Sequence, residues 1–289
     1  MQASFEFVHS QRWFEGRTNF RLSREPINPA QYSVKDIGYA IAKVFVSLHH
    51  YSGTFPPCIQ SYGLFRQDSP FSAPRLVGVA TFSPASNPKS IKKWSGLNDS
   101  NGAELGRLIL LDEVPGNAES WFLARALDQF KAKKPLVQLI LSYSDPVART
   151  NLRGESVFVG HWGCVYQSSN ALYLGRASPK TQYLNAEGRV IANRLFSKIR
   201  NGEVGRQYAE DTLSEVSGIA REPEESSSSY VERALGALRP QSHPGNHLYA
   251  FPLAADRREK MAILNLPVLQ SHSLGIAAYP KRPDFLMAA

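Results

Sequence analysis

Cysteine is scarce in this sequence, with only Cys58 and Cys164 among 289 residues. They stand far apart and neither belongs to a CxxC pair, which argues against a disulfide framework and a cysteine-ligated zinc site. No apolar run approaches the roughly 20 residues that a bilayer span needs. The N-terminal stretch MQASFEFVHSQRWFEGR carries charged and polar residues where a signal peptide has its apolar run, so nothing in it directs the chain out of the cytosol. Glycine and proline are not in excess and no internal repeat is visible, which sets fibrous and solenoid architectures aside. The expectation is a soluble intracellular protein of one large or two modest domains with a real core. Positive charge is what the chain has in surplus: 33 Lys plus Arg against 25 Asp plus Glu, a formal charge of +8. A surface of that sign attracts polyanions, nucleic acid first among them, although a generic basic protein has the same balance.

Apolar residues at Val34, Ile37, Ile41, Val44 and Phe45 follow a three-and-four spacing that predicts an amphipathic helix over 32–47, ending at His49-His50-Tyr51-Ser52-Gly53. Ile59–Arg66 and Arg75–Phe82 read as the strands of a hairpin. Glu104–Leu111 and Leu136–Tyr143 read as buried strands joined by a turn at 112–117 and a helix over about 118–131. This is a βαβ unit, and ligands bind at the ends of its strands. Two short strands are expected over 161–167 and 171–176. The order of elements is that of an α+β fold of the GCN5-related N-acetyltransferase type, a mixed sheet flanked by helices with a C-terminal helical or irregular extension. The expected division is an N-terminal segment over 1–33, a catalytic core over 34–180, a basic helical segment over 181–221, a flexible serine-rich linker over 222–230 and a C-terminal extension over 231–289, with a short helix at 231–238.

In acetyltransferases of this type the turn after the central strand carries a Gln/Arg-x-x-Gly-x-Gly/Ala pattern whose amides bind a pyrophosphate. Here it reads Asp112-Glu113-Val114-Pro115-Gly116-Asn117-Ala118-Glu119-Ser120. Proline removes a donor and the acidic residues repel phosphate, so coenzyme A binding in the usual way is disfavoured. A plain helix start with Asn117 as N-cap is the simpler reading of that segment.

HHYSG at 49–53, ELGRLILLDEVPGNAESWFL at 104–123, SYSDP at 142–146 and GHWGCVYQSSNALYLG at 160–175 together resemble the Mom DNA-modification proteins of bacteriophage Mu and its relatives, over roughly 35–200. The resemblance implies an acetyltransferase-related phage enzyme in the host cytoplasm that converts the exocyclic amine of adenine in double-stranded DNA to a carbamoylmethyl form and shields that DNA from restriction. It also implies iron, without fixing the ligands.

Adenine N6 is a weak nucleophile that is paired and stacked in a duplex, so an enzyme must flip the base, hold its edge and supply a base or an activated donor. Asp145, at the end of a buried strand, is the foremost carboxylate; the simpler reading is a cap before Pro146. Arg107 either holds a substrate carbonyl or phosphate, or pairs with Glu104 or Glu113. His50 offers an imidazole, Tyr51 a stacking ring, and Tyr166, expected on a strand, a further aromatic that reaches the cleft or merely packs. Glu113, Asn117, Ser120 and His161 complete the candidate substrate-binding set. His50 and Asp145 are the candidate metal ligands, with His161 a possible third. Arg189, Arg194, Lys198 and Arg200, followed by Arg206, are either phosphate contacts or a solvated helix face. The donor is either an activated glycine such as glycyl-tRNA, which makes tRNA a second partner, or acetyl coenzyme A. A conventional acyl-CoA-dependent N-acetyltransferase and a non-catalytic DNA-binding protein are the competing classes.

Overall fold

In the computed structural model, residues 9–14, 17–22 and 25–281 are described. The remaining parts of the expected N-terminal segment and C-terminal extension lie outside them. The chain forms two compact units, one of 1–146, 161–176 and 246–289, the other of 147–160 and 177–245.

The first unit begins with a hairpin, β1 (His9–Phe14) and β2 (Arg17–Leu22), and continues through β3 (Tyr32–Ile37), α1 (Tyr39–His49), β4 (Gln60–Arg66), β5 (Arg75–Ser83), α2 (Ser90–Ser95), β6 (Gly102–Leu110), α3 (Ala118–Lys133) and β7 (Leu139–Ser144). The expected helix over 32–47 is therefore a strand followed by a helix. Val34 and Ile37 have one apolar contact face each, which an extended edge strand satisfies as well as a helix does, and Gly38 in an extended conformation starts α1. β5 is buried at every position from Val77 to Ser83, as a central strand covered on both faces must be.

The second unit takes up β8 (Arg149–Thr150) and β9 (Ser156–Phe158). The chain returns to the first unit for α4 (Cys164–Ser168) and β10 (Leu172–Arg176), then to the second for β11 (Lys180–Leu184), β12 (Val190–Ile191), α5 (Asn193–Arg200), α6 (Arg206–Ser217), α7 (Ser227–Gly236) and β13 (Arg239–His243). β14 (His247–Pro252), α8 (Arg257–Leu264) and α9 (Pro267–His272) complete the first unit.

The main sheet has seven strands in the order β10-β14-β7-β6-β5-β4-β3. All pairs are antiparallel except β6 with β7, which α3 joins as a crossover. This is the expected acetyltransferase-type mixed sheet. α3 covers one face through Ala118, Phe122, Leu123, Ala126 and Phe130, the last stacked on Phe82 at 4.3 Å. Burying each such phenyl group stabilises the layer by about 1.5–3 kcal/mol. On the opposite face α1 packs through Phe45 and Val46 onto Val79 and Ile109, while Ile91, Ile263 and Leu269 of α2, α8 and α9 cover Leu139, Leu141 and Leu248.

Three expectations change. Residues 164–168 are helical rather than extended, because Gly163 turns the chain at φ +72° under the Tyr249 ring, where a Cβ would come within 2.4 Å of a ring carbon. The run 222–230 is not a free linker: Ser226 caps α7 by accepting from Ser229 N at 3.1 Å, and Glu225 pairs with Arg233 at 2.8 Å. The segment 231–289 is not an appendage either, since it supplies β14 between β7 and β10. In the second unit α5, α6 and α7 share a core of Phe196, Ile199, Leu213, Tyr230 and Val231, and β11 pairs with both β12 and β13.

Candidate active site at the splay of two strands

β6 and β7 pair only at Gly102↔Leu139, Ala103↔Ile140 and Glu104↔Leu141, although β6 runs on to Leu110 and β7 to Ser144. Beyond that point the strands part, and the opening between them receives the candidate residues. A bulge against β5 between Leu105 and Arg107 sets where Arg107 leaves the strand.

Arg107 makes neither of the ion pairs weighed for it. Its guanidinium donates to the Gly106 carbonyl at 2.7 Å, to the Thr54 carbonyl at 3.1 and 3.2 Å, to Thr54 Oγ1 at 3.0 Å and to Ser52 Oγ at 3.3 Å. It thereby ties down the loop after α1. Glu104 instead accepts from Ser86 and Glu113 from Arg75. Burial lowers the Arg107 pKa from its ordinary value, and Tyr51 and Tyr166 partly offset the loss.

The tied loop presents His50 and Tyr51, whose rings lie 4.2 Å apart, with Trp13 of the N-terminal hairpin edge-on to Tyr51 at 6.1 Å. His50 Nδ1 accepts from Ser52 N–H at 3.1 Å, which assigns the proton of the neutral ring to Nε2. Burial, then the positive field of Arg107, then His161, hold its pKa well below the usual imidazole range, so His50 is neutral at pH 7. Burial also brings His161 down to about 4 against the raising influence of Asp145. The His161 amide donates to the Asp145 carbonyl at 2.6 Å, and its ring lies 5.5 Å from that of Tyr166. Tyr166 is carried by α4 rather than a strand, and burial pushes its hydroxyl up to about 12, partly offset by Ser142. Asp145 caps no helix, for the chain continues from Pro146 toward β8.

His50, Tyr51, Arg107, Asp145, His161 and Tyr166 thus come together. The other candidates do not join them. Glu113 pairs with Arg75 at 2.8 Å. Asn117 stands at the N-cap of α3 as expected, but its Oδ1 accepts from Ile27 N at 2.9 Å rather than from the helix, and Ser120 Oγ reaches the Asn117 carbonyl at 3.4 Å. The turn they belong to is covered by the N-terminal hairpin. Arg12 pairs with Glu119 and donates to the Val114 and Pro115 carbonyls at 3.4 and 3.3 Å. Ser10 bonds the Gly116 carbonyl, and Asn19 donates to Asp112 at 2.9 Å.

For a metal, His50 and Asp145 stand without a completed set. Among the described residues no three His, Cys, Asp or Glu side chains group closely enough to hold an ion. The iron expected from the resemblance finds no coordination sphere among these described residues.

In the second unit Arg189 lies exposed on the turn between β11 and β12 rather than on a helix, Lys198 is half-buried and Arg200 exposed. Arg194 is neutralised by Glu203 at 2.8 Å, and Arg206 by Glu210 at 2.6 Å.

His247, Ser142, Ser144 and Trp13 were missed by the sequence reading. Strand register sets His247 of β14 opposite Ser144 and Tyr249 opposite Ser142 on β7, and register is set by pairing across distant segments that no local pattern records.

The sheet and the splayed strand pair define the class: an α+β fold with a seven-stranded mixed sheet whose 112–119 turn is closed over by the N-terminal hairpin. The profile of the Mom protein family matches residues 31–231, and the chain belongs to that family. It is similar to the methylcarbamoylase Mom of Escherichia phage Mu, 27% identical over 170 residues, which make up 58% of this chain and 63% of that protein. The chain thus matches less than two-thirds of that relative's length. Among solved structures, a tandem GNAT protein from the clavulanic acid biosynthesis pathway aligns over 78% of this chain and 99% of its own, at 8% identity and a TM-score of 0.38, a likeness too slight to bear on the site.

Proposed function

We propose that this protein is a phage DNA-modification transferase that converts adenine N6 in double-stranded DNA to the carbamoylmethyl form, protecting that DNA from restriction in the cytoplasm of the bacterial host. The observation that carries the reading is the cluster at the strand splay: two imidazoles held neutral at pH 7 beside an arginine and two tyrosines, in a chain of the Mom family. Neutral imidazole is the form that can accept a proton, and His161 has a carboxylate, Asp145, to stabilise the imidazolium it becomes. In this reading His161 takes the N6 proton, Asp145 orients it, and His50 donates through Nε2 to the flipped base or the donor. Tyr51 and Tyr166 supply stacking faces, and Arg107 holds the loop that presents His50 and Tyr51.

The hairpin seated on the 112–119 turn speaks against acyl-CoA as donor, because that turn's carbonyls and carboxylates are turned to Arg12, Ser10 and Asn19. An activated glycine such as glycyl-tRNA fits better. N6 attacks the ester carbonyl and the tRNA hydroxyl leaves with a proton; the glycyl amine then attacks C6, a small ring closes, and the C6–N6 bond breaks so that the old N6 becomes the primary carboxamide. Arg189, Lys198 and Arg200 are the groups available to the phosphates of DNA or tRNA. Among the described residues no helix is long and apolar enough to cross a membrane.

Nucleoside mass spectrometry of plasmid DNA from an expressing host tests the reading. The expected result is a carbamoylmethyl-sized shift on deoxyadenosine that is lost in Asp145→Ala. Deoxyadenosine left unmodified by soluble wild-type protein, with both candidate donors supplied, overturns it. Label from glycine in the modified base separates the glycyl route from the acetyl one.

A further inference from the structure

Three buried polar atoms gather beside the site and take no part in the chemistry above. The register of β14 on β7 sets His247 opposite Ser144, so both side chains leave the same face of the sheet. Tyr249 and Phe251 line that face and meet Tyr166 at 5.4 and 6.1 Å. His247 is 2% exposed and Ser144 1%. The imidazole Nδ1 lies 2.8 Å from the Tyr173 hydroxyl. Among the described residues, Nε2 has no hydrogen-bond partner, and neither has Ser144 Oγ or the indole Nε1–H of Trp162. The Trp162 ring stands 5.6 Å from that of His247, and its carbonyl is fixed by the Tyr249 hydroxyl and the Gln167 amide, both at 2.8 Å.

Buried polar groups are seldom left unpaired, because each gives up its bonds to water. Three at one spot mark a place built to meet a polar group. Their chemistry defines it. The indole only donates, the hydroxyl donates or accepts, and His247 Nε2 accepts in the tautomer whose Nδ1–H goes to Tyr173, the tautomer that the proposal below takes, and donates in the other. Burial, then Arg176, then His161, hold His247 at about 4, so the spot presents no imidazolium to a carboxylate at neutral pH. Its complement is uncharged, with an acceptor and a donor side by side.

We propose that His247, Ser144 and Trp162 form a subsite, adjoining His161, for a small primary carboxamide. The amide oxygen accepts from Trp162 Nε1–H and Ser144 Oγ–H, and the amide N–H donates to His247 Nε2. The assignment rests on the carbamoylmethyl reading to the extent that the product's own carboxamide is the natural occupant.

Acetamide is the probe, with acetate as the charged control. The whole protein, labelled with 15N in its histidines, is titrated with each while long-range proton–nitrogen spectra follow the His247 ring, assigned with His247→Gln. The expected result is a saturable shift with acetamide and none with acetate, with affinity about five- to tenfold weaker in Ser144→Ala, which is near-isosteric, and in Trp162→Phe, which removes the N–H together with part of the ring. No acetamide shift, an equal response to acetate, or full affinity in both variants overturns the subsite. Nucleoside mass spectrometry on the same proteins separates this from the reading above: acetamide bound at His247 with adenine unmodified keeps the subsite and removes the adenine chemistry. Adenine modified with no acetamide shift does the reverse.

Discussion

Arg12 of the N-terminal hairpin is ion-paired with Glu119 in the first turn of α3, and both residues are buried. A helix start is where a pyrophosphate seeks free amides and positive charge. Here the place is taken by a carboxylate and the guanidinium that neutralises it. The wild-type protein is accordingly expected to show no coenzyme A binding by calorimetry at millimolar ligand. Arg12→Met strands a buried carboxylate and is expected to cost about 3–5 kcal/mol, read from urea unfolding, without creating coenzyme A affinity. A micromolar dissociation constant in either protein would contradict this account of the turn.

Arg107 holds Ser52, Thr54 and Gly106 through a planar fork that a lysine cannot reproduce. Arg107→Lys keeps the charge and loses most of those bonds, so the loop presenting His50 and Tyr51 loosens. Adenine modification is expected to fall at least about tenfold, with unfolding free energy lowered by only about 1–2 kcal/mol. Glu104→Gln, which touches Ser86 and not Arg107, leaves modification near the wild-type level. If Lys at 107 supported full modification, charge alone would be its contribution.

His247 has its pKa brought down from 6.5 to about 4, by burial first and Arg176 next. A group with a depressed folded value binds its proton first in the unfolded chain. Its contribution to stability is full above about pH 6.5, declines as pH falls through that window, and is fully lost below about pH 4. The single group accounts for about 3 kcal/mol across the window. His161 titrates in the same direction. Urea midpoints between pH 7 and 4 are expected to fall, and His247→Gln to show a shallower fall than wild type. Equal slopes would place His247 near its ordinary value.

The sequence made the sheet's centre legible because its strands carry their own signal: the hairpin at 60–83, the buried run ending at Leu110 and the βαβ crossover appear within a few residues of their expected bounds. Where two structures satisfy the same spacing, as at Val34 and Ile37, pattern favoured the wrong one. The serines before α7 have the composition of a linker and the position of a cap, and only the neighbouring helix decides between them. The residues that the fold gathers at the strand splay, Arg107, His50, Tyr51, Asp145, His161 and Tyr166, were legible as candidates. Glu113 and Asn117 look the same in sequence, yet Arg75 and Ile27 engage them elsewhere. His247 was out of reach, since its place depends on β14 inserting between β7 and β10.

The basic segment of the second unit carries less free charge than its composition suggests. Arg194 gives its charge to Glu203 and Arg206 to Glu210, whereas Lys198 and Arg200 make no ion pair among the described residues. Each cation that meets a DNA phosphate releases counterions and steepens the salt dependence of binding by about 0.9 on logarithmic axes. The double variant Lys198→Ala, Arg200→Ala is therefore expected to flatten the slope by about 2 and to weaken binding to all sequences alike. Glu203→Gln works in the opposite direction. It frees Arg194 for phosphate and is expected to steepen the slope by up to about 1, with tighter binding at low salt. Fluorescence anisotropy on a duplex from 50 to about 300 mM salt measures both, a range over which such slopes change affinity by orders of magnitude. If removing Lys198 and Arg200 left the slope unchanged while Glu203→Gln raised it, Arg194, once freed of its partner, would be the phosphate contact in their place. If neither variant moved it, the phosphates would lie on another face of the protein.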